Sequence, residues 1–469
     1  MENLKLKNFK DDIKNKKVSV IGIGVSNIPA IKYLSNLGTK VIARDKNKEI
    51  FSKYSELKDL NNVEFILGDD YLSNLKDSDY ILRAPGVKPF LKEIEDAVNS
   101  GVELTSEMEL FFEFAPCKII GVTGSAGKTT TVTLINEMLK NAGYKVWLGG
   151  NIGNSLFDKI DEICKNDIAI LELSSFQLMT MKKSPDVALI TSIYEDHLDY
   201  HRSFEEYVEA KTNIFMHQRK DDTFVLNVDD SFCDKFLKMI EENEIKSKIL
   251  SFSTKKVCKN GAYFKDNKIY ISIDGKEKLV SDVSNIHLIG EKNYANICSA
   301  ICCVQDLVDV SVITKTLNEF KGVEHRLEYV DTKYGVKYYN DSISTTPGKA
   351  MAAFTSFNQK IILIAGGSDK NLDYTPVGDN IINCAKILIL LGNTSKKIKE
   401  AVINSKKYLE SELKIYEVNS MKEAVELSSK VAKDGDIVVM SPASASFDLY
   451  KNYKERGKDF KNLVATLLK

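Results

Sequence analysis

The sequence predicts an α/β protein of three domains: a Rossmann-like domain first, a central P-loop ATPase-type domain on a parallel sheet, and a second Rossmann-like domain last. Three observations predict it. Short apolar runs bounded by Gly, Ser or Asp alternate with helical patterns through most of the chain. Two of the runs end in glycine loops, "GIGVSN" and "TGSAGKTTT", each followed by a helical stretch. The length, 469 residues, exceeds one domain of roughly 100–200 residues.

The first element is "KKVSVIGIGVSNIPAIKYLSNLGTKVIARD", a strand, glycine turn, helix and strand that make one parallel βαβ unit. A second begins at "CKIIGVTGSAGKTTTVTLINEMLKNAGYKVWLGG" and continues through the strand candidates "DIAILELSS", "DVALITSI" and "TFVLNV". Residues 250–285 carry short alternating pieces such as "KIYISIDG", which predict hairpins. Beyond a helix near 293–308, "KYYND", "KIILIAGGSDK", "KILILLG" and "DIVVMSPASAS" predict another open sheet with a site at its strand tips. The expected domains are 1–105, 106–322 and 323–469.

Hydrophobic residues make up 43% and charged residues 28% of the chain, the composition of a folded globular protein. Lys and Arg total 65 against 66 Asp and Glu, so no overall field draws nucleic acid or an anionic membrane, and neither is an expected partner. The N-terminal stretch lacks the apolar core of a signal peptide and no later run reaches membrane-span length, so the expected compartment is the cytoplasm. Eight cysteines without zinc-type pairs fit reduced thiols, with Cys298, Cys302 and Cys303 packing as small hydrophobes on one helix.

The strongest local signal is "TGSAGKTTT", residues 123–131. Between a strand and a helix, Gly124, Ser125, Ala126, Gly127, Lys128, Thr129 and Thr130 turn backbone N–H groups toward phosphates; the lysine neutralises their charge and the Thr129 hydroxyl reaches Mg2+. Val122 stands where the strict motif has glycine, so the loop is a variant that supports ATP binding and leaves the downstream chemistry open. In "GIGVSN", Gly22 and Gly24 are followed by Asn27 in place of a third glycine, with Asp45 at the end of the next strand. Nucleotide binding and a tight βα turn are equal readings of that loop alone.

Glu172 ends the apolar run of "DIAILELSSFQL", where a P-loop sheet places its Mg2+-binding acid. The next strand runs into "YEDHLDYH", bringing His197 toward the same pocket. Lys211 follows, in "SFEEYVEAKTNIF". At about 100° per residue, it falls in the middle of a stripe formed by Phe204, Tyr207, Val208 and Phe215. An ammonium there must be paired, snorkel outward or become neutral. A neutral amine is a nucleophile that can take up CO2 as a carbamate, an anion suited to Mg2+.

Together these pieces resemble the Mur ligases of bacterial cell-wall synthesis, in the order "GIGVSN", "TGSAGKTTT", "LGGNIG", "LELSSFQL", "EDHLDYH", "YVEAK", "GEKNYAN", "EHRLEY", "NDS", "GGSDK" and "SPASASFD". "GGSDKNLDY" and "SPASASFDLYKNYKERGKDF" are similar to the D-glutamate-adding branch. The resemblance implies an ATP-dependent ligase whose small-molecule partners are ATP, D-glutamate and UDP-N-acetylmuramoyl-L-alanine, with a monomeric chain expected. It implies that the first domain holds UDP through Val25, Ser26, Asp45, Lys46 and Gly86, and that Asn151 and His197 contact nucleotide or substrate. It implies two Mg2+ ions, with Mn2+ an alternative, on Thr129, Glu172, His197 and a carbamate of Lys211. Asn293 and Asn296 would line the adenine, Arg326 the phosphates and Asp341 the ribose edge. Thr345, Lys370, Ser446, Phe447 and Tyr453 would surround D-glutamate.

The chain departs from the family pattern at Ile343-Ser344-Thr345, where a lysine followed by Ala-Thr-Asn is usual, at Lys292 in place of a histidine, and at Ala84 in place of a serine. The competing readings are an L-alanine-adding Mur ligase, a folylpolyglutamate synthase and a P-loop assembly ATPase. The synthase lacks a "GIGVSN" domain, and the ATPase gives no reason for "EDHLDYH" followed by "YVEAK".

Overall fold

Runs such as "KVSVI", "IAILE" and "IILIA" are apolar at nearly every position, so they are stable only as strands covered on both faces. They are the middles of three sheets in the computed structural model, which describes residues 3–153 and 155–467. The chain divides into two compact units, residues 1–280 with 295–316, and residues 281–294 with 317–469.

The first unit holds two sheets. One comprises β1 (Lys17–Ile21), β2 (Lys40–Asp45), β3 (Val63–Leu67), β4 (Tyr80–Arg83) and β5 (Glu103–Thr105), all parallel in the order β3-β2-β1-β4-β5. The order reverses between β1 and β4, so the turns after those strands border the crevice where such sheets bind ligands.

The other comprises β6 (Lys118–Thr123), β7 (Val146–Gly150), β8 (Ile168–Glu172), β9 (Val187–Ile190), β10 (Thr223–Asn227), β11 (Lys248–Ser253), β12 (Gly261–Lys265), β13 (Lys268–Ile273) and β14 (Lys276–Asp282). Its order is β14-β13-β12-β11-β10-β9-β6-β8-β7. Strands β7 to β12 pair in parallel, and the hairpin predicted within 250–285 is the antiparallel pair β12/β13. Here too the order splits around β6: Val122 pairs with Glu172 on one side and Thr123 with Ile190 on the other. The glycine loop, the acid and the segment after β9 therefore leave the sheet at one edge.

The second unit carries β15 (Glu328–Lys333), β16 (Val336–Asn340), β17 (Ile361–Ala365), β18 (Ala385–Leu390), β19 (Lys414–Glu417) and β20 (Ile437–Met440), in the order β15-β16-β20-β17-β18-β19 with only β15 antiparallel. All eight cysteines are free thiols, and Cys298, Cys302 and Cys303 are buried on the helix Glu291–Val304. No helix among the described residues is long and apolar enough to cross a membrane.

A buried carboxylate ties the entry of the central sheet to the segment after β7. Ser106 caps the helix Glu107–Phe114. The next residue, Glu107, is 5% exposed and accepts hydrogen bonds from the Ser155 hydroxyl (2.6 Å) and the Phe157 amide (3.4 Å). Burial pushes its carboxyl up to about 7, against the two hydrogen bonds, with Asp158 adding to the rise. The folded state thus holds a proton that the unfolded chain releases near pH 4.5. This stabilisation is full below that pH and is lost as pH rises through about 7. Across that window it is on the order of 3 kcal/mol. Glu107→Gln should remove the dependence: its melting temperature relative to the parent should climb between pH 4.5 and pH 7.5. A constant difference in melting temperature across that range would contradict the assignment.

Candidate active site

The loop between β6 and the helix Lys128–Asn141 is fixed by two glycines in left-handed or extended positive-φ backbone. Gly124 has φ +142°, and a Cβ there would lie 2.0 Å from the Thr191 hydroxyl. At Gly127 φ is +86°, and a Cβ would lie 2.3 Å from the Asn296 amide oxygen. Thr191 holds the loop from below, donating to the carbonyls of Thr123 (3.1 Å) and Ala126 (2.5 Å), while the Ser125 amide donates to Ser192 O (2.7 Å). The Lys128 amine lies back along the loop, donating to the carbonyls of Gly124 (2.6 Å) and Ser125 (3.3 Å). Ser125 shares a hydrogen bond with the Tyr207 hydroxyl (2.7 Å) and donates to Tyr194 O (2.9 Å). Thr130 is buried on the helix's first turn.

Glu172 ends β8 at 2% exposure. The Thr129 hydroxyl donates to one carboxylate oxygen (2.8 Å) and the Asn151 amide to the other (2.9 Å). The Asn151 backbone N–H also donates to Glu172 O (2.7 Å), because Gly150, at φ +94°, lets the chain pass 2.2 Å, measured from its missing Cβ, from that carbonyl. Both side-chain donors, Thr129 and Asn151, are neutral, and a buried carboxylate favours a cation beside it.

Lys211 lies on the helix Phe204–Met216, which Ser203 caps and which has Glu205 and Glu206 in its first turn. Tyr207, Val208 and Phe215 are buried beside it and Phe204 partly so, and the Lys211 side chain stays inside with them at 1% exposure instead of snorkelling. Its amine donates to the Thr123 hydroxyl (3.2 Å) and Gly124 O (3.1 Å), and lies 4.7 Å from the Tyr207 ring centre. Burial, and then the Lys128 charge, push its pKa far below the usual lysine range, outweighing the opposite pull of Asp196 and Glu172. Burial thus favours the uncharged form of the amine.

His197 is exposed and has φ +53°. Its ring packs 5.0 Å from that of Phe176, in the short helix that follows Glu172, and its Nε2 is 3.5 Å from Asp196. Thr129, Asn151 and Glu172 are thus joined directly and Lys128 and Lys211 meet at the Gly124 carbonyl, whereas no hydrogen bond joins His197 to Glu172. Among the described residues no three His, Cys, Asp or Glu side chains converge as a metal cluster. The oxygen donors that do meet, a hydroxyl and a carboxylate, fit a hard divalent cation; the imidazole is the softer member.

In the first sheet, Asp45 accepts from Ile23 N (2.7 Å) and Asn47 N (2.8 Å), Val25 and Lys46 are exposed, Ser26 begins the helix after β1, and Gly86 is exposed on the turn after β4. Asn27, standing where a third glycine was expected, is fully buried and bolts the loop by donating to Ile21 O (3.2 Å) and Gly22 O (3.1 Å).

In the second unit, Asp341 is 3% exposed and accepts from the Ser441 hydroxyl (2.6 Å) and Leu327 N (3.2 Å). Burial raises its carboxyl to about 6, opposed in part by Arg326, which is exposed on a left-handed turn between His325 and Leu327. Lys370 stands 5.3 Å from the ring centre of the exposed Phe447, whose amide donates to Ser368 (3.0 Å) beside the buried Ser446. Tyr453 starts the last helix and accepts at its carbonyl from Ser342 (2.7 Å), while Thr345 only closes a local turn onto Ile343 O. Asn293 donates to Ile289 O (2.8 Å).

Of three buried arginines, Arg44, Arg83 and Arg456, sequence reasoning singled out none, and two of them tie turns near the proposed sites together. Arg456, 3% exposed, donates to Ser342 O, Ser342 Oγ, Ser444 O and Ala445 O and so ties the "NDS" and "SPASAS" turns together; burial lowers it to about 10. It shares a helical stripe with Phe460 and Val464, the same signal that singled out Lys211. Arg83 is the other, at the end of β4.

Comparison with known proteins gives three adjoining family matches: the Mur ligase MurD-like N-terminal domain over residues 16–106, the Mur ligase middle domain over 122–304 and the Mur ligase glutamate ligase domain over 325–444. The UDP-N-acetylmuramoylalanine--D-glutamate ligase of Clostridium botulinum (strain 657 / Type Ba4) is 45% identical over 461 residues, covering 98% of each chain. That of Acetivibrio thermocellus is 45% identical over 469 residues, covering 99% of each. Among solved structures, a UDP-N-acetylmuramoyl-L-alanyl-D-glutamate--2,6-diaminopimelate ligase aligns with a TM-score of 0.58 at 16% identity, over 96% of this chain and 93% of that one. The UDP-N-acetylmuramate-alanine ligase of Thermotoga maritima aligns with a TM-score of 0.53 at 18% identity, over 96% and 99%. These two likenesses support the fold.

The close approach at Gly150 gives a direct test of the geometry. Gly150→Ala forces a Cβ onto the Glu172 backbone and a strained φ, so it should weaken binding of Mg2+ with a non-hydrolysable ATP analogue by at least about tenfold, equivalent to 1.4 kcal/mol. Calorimetric titration measures it; affinity unchanged in a folded variant would show that the β7/β8 contact does not set the acid's position.

Proposed function

The chain belongs to the Mur ligase family, and on that premise we propose how its own residues carry out the reaction of that family's D-glutamate branch. The activity is ATP-dependent ligation of D-glutamate to UDP-N-acetylmuramoyl-L-alanine, a step of peptidoglycan precursor synthesis. The observation that carries the site assignment is the junction at Glu172, where the ATP-loop threonine, Asn151 and a buried carboxylate meet near the buried Lys211 amine.

The loop amides and Lys128 bind the triphosphate, with Lys128 exchanging the Gly124 and Ser125 carbonyls for phosphate oxygens. Thr129, Glu172, His197 and Lys211 as its carbamate would hold two Mg2+ ions, or Mn2+. When bound, these ions screen the phosphate and the L-alanine carboxylate from each other. Burial favours the uncharged form of the Lys211 amine, the form whose lone pair carbamate formation needs. Asn151 orients Glu172 and, from its exposed position, contacts substrate. The carboxylate attacks the γ-phosphorus and ADP leaves. The D-glutamate amine then attacks the acyl phosphate, giving the amide and phosphate. Asn296, beside Gly127, and Asn293 are assigned to the adenine, Arg326 to the phosphates and Asp341 to the ribose edge; Thr345, Lys370, Ser446, Phe447 and Tyr453 receive D-glutamate. Val25, Ser26, Asp45, Lys46 and Gly86 hold UDP. The same proposal keeps domain boundaries at 105 and 322, a monomer, and the cytoplasm as the compartment.

Phosphate release from ATP tests the reading. It should require UDP-N-acetylmuramoyl-L-alanine and D-glutamate together; release with L-alanine on the nucleotide lacking its alanine, and none with D-glutamate, would contradict it. Lys211→Ala should lose activity by at least about a thousandfold, a loss of roughly 4 kcal/mol in transition-state stabilisation. Acetate or formate should restore part of it, since either supplies the missing carboxylate. Normal activity in that variant would remove the carbamate from the mechanism.

A further inference from the structure

Arg83 ends β4 with its side chain 1% exposed, and its partners are carbonyl and hydroxyl oxygens. One terminal nitrogen donates to Val87 O (2.6 Å), Ala84 O (3.3 Å) and Pro85 O (3.3 Å); the other donates to Phe176 O (3.1 Å) and the Thr180 hydroxyl (3.4 Å). Burial costs the guanidinium hydration that the Glu109 carboxylate offsets only in part, so its value lies in the geometry it imposes. That geometry joins the turn after β4 in the first sheet to the short helix after Glu172 in the central sheet.

Tyr200 grips the same turn from the other side. It is 8% exposed, and its hydroxyl donates toward Pro85 O (2.9 Å) and Val87 O (3.2 Å). Its ring lies 4.0 Å from that of Phe176, which also packs against His197. The Tyr200 amide donates to His197 O (3.1 Å), as does the His201 amide (3.1 Å). His197 itself has φ +53°, a conformation costly for a residue with a side chain and maintained only where its surroundings fix it. The turn is in turn packed against the first glycine loop: a Cβ on Gly22 would lie 2.7 Å from the Ala84 Cβ.

We propose that Arg83 and Tyr200 are positioning residues that couple occupancy of the nucleotide crevice at Ala84–Val87 to the backbone placement of His197. A nucleotide that orders the turn orders the carbonyls that anchor Tyr200. Tyr200 then holds the backbone of His197 through its own amide. Neither side chain touches the reacting atoms. The inference rests on the reading of that crevice as the UDP site, and it predicts positive coupling between the two substrates.

Calorimetric titration of UDP-N-acetylmuramoyl-L-alanine, with and without Mg2+ and a non-hydrolysable ATP analogue, measures the coupling. The parent protein should bind the sugar nucleotide at least about fivefold more tightly when the analogue is present. Tyr200→Phe keeps the ring against Phe176 and removes only the hydroxyl; its coupling should fall to within about twofold of none, with affinity for the analogue alone unchanged. Arg83→Lys, which keeps the charge and loses the fork, should lower the coupling independently. Parental coupling in either folded variant, or none in the parent, overturns the proposal. A parent that releases phosphate with D-glutamate yet shows either result overturns the coupling alone; one that does not bind the sugar nucleotide overturns the functional reading and this inference with it.

Discussion

An amine 1% exposed, set between a hydroxyl, a carbonyl and a ring face, constrains the central sheet more than any other single group. Held as an ammonium, Lys211 would lose hydration worth several kcal/mol, with Lys128 adding repulsion across the same loop. Loss of the proton relieves both costs, which is the direction burial pushes. It also makes this lysine chemically different from the many in solvent, because only an uncharged amine attacks CO2. The helix that carries it is amphipathic in the ordinary way, and the reactive group occupies a core position in its stripe.

The rest of the site is arranged by strand order. Because β8 lies between β6 and β7, the end of one strand faces two turns, and Glu172 receives Thr129 from one and Asn151 from the other. Both approaches need backbone that a side chain would block, at Gly127 and Gly150. The third neighbour, the segment after β9, supplies Thr191 beneath the loop and then His197 in left-handed backbone. The carboxylate has neutral hydrogen-bond donors and the amine has no hydrogen-bonded acid.

Much of this was legible in the sequence because burial on both faces writes itself as unbroken apolar runs, and because glycine and a stripe position are local signals. Glu172 at a strand end and Lys211 on the apolar face needed only periodicity. The contact of Asn151 with Glu172 did not, since it depends on β7 pairing with β8, and pairing order is not local information. Asn27 read as a failed glycine; its burial shows a side chain that replaces backbone freedom with hydrogen bonds to the loop's own carbonyls. The left-handed backbone of His197 left no trace either, since histidine carries no preference strong enough to announce it. Arg456 was readable by the stripe count applied to Lys211, whereas Arg83 takes its meaning from a turn and a helix that are remote in sequence.

The reactivity of Lys211 toward CO2 can be observed directly by carbon-13 NMR of the protein equilibrated with labelled bicarbonate near neutral pH. The account predicts a protein-bound carbamate resonance in the parent that is missing from Lys211→Ala. A fully active parent without that resonance, or one in which the resonance persists after Lys211 is replaced, would contradict it.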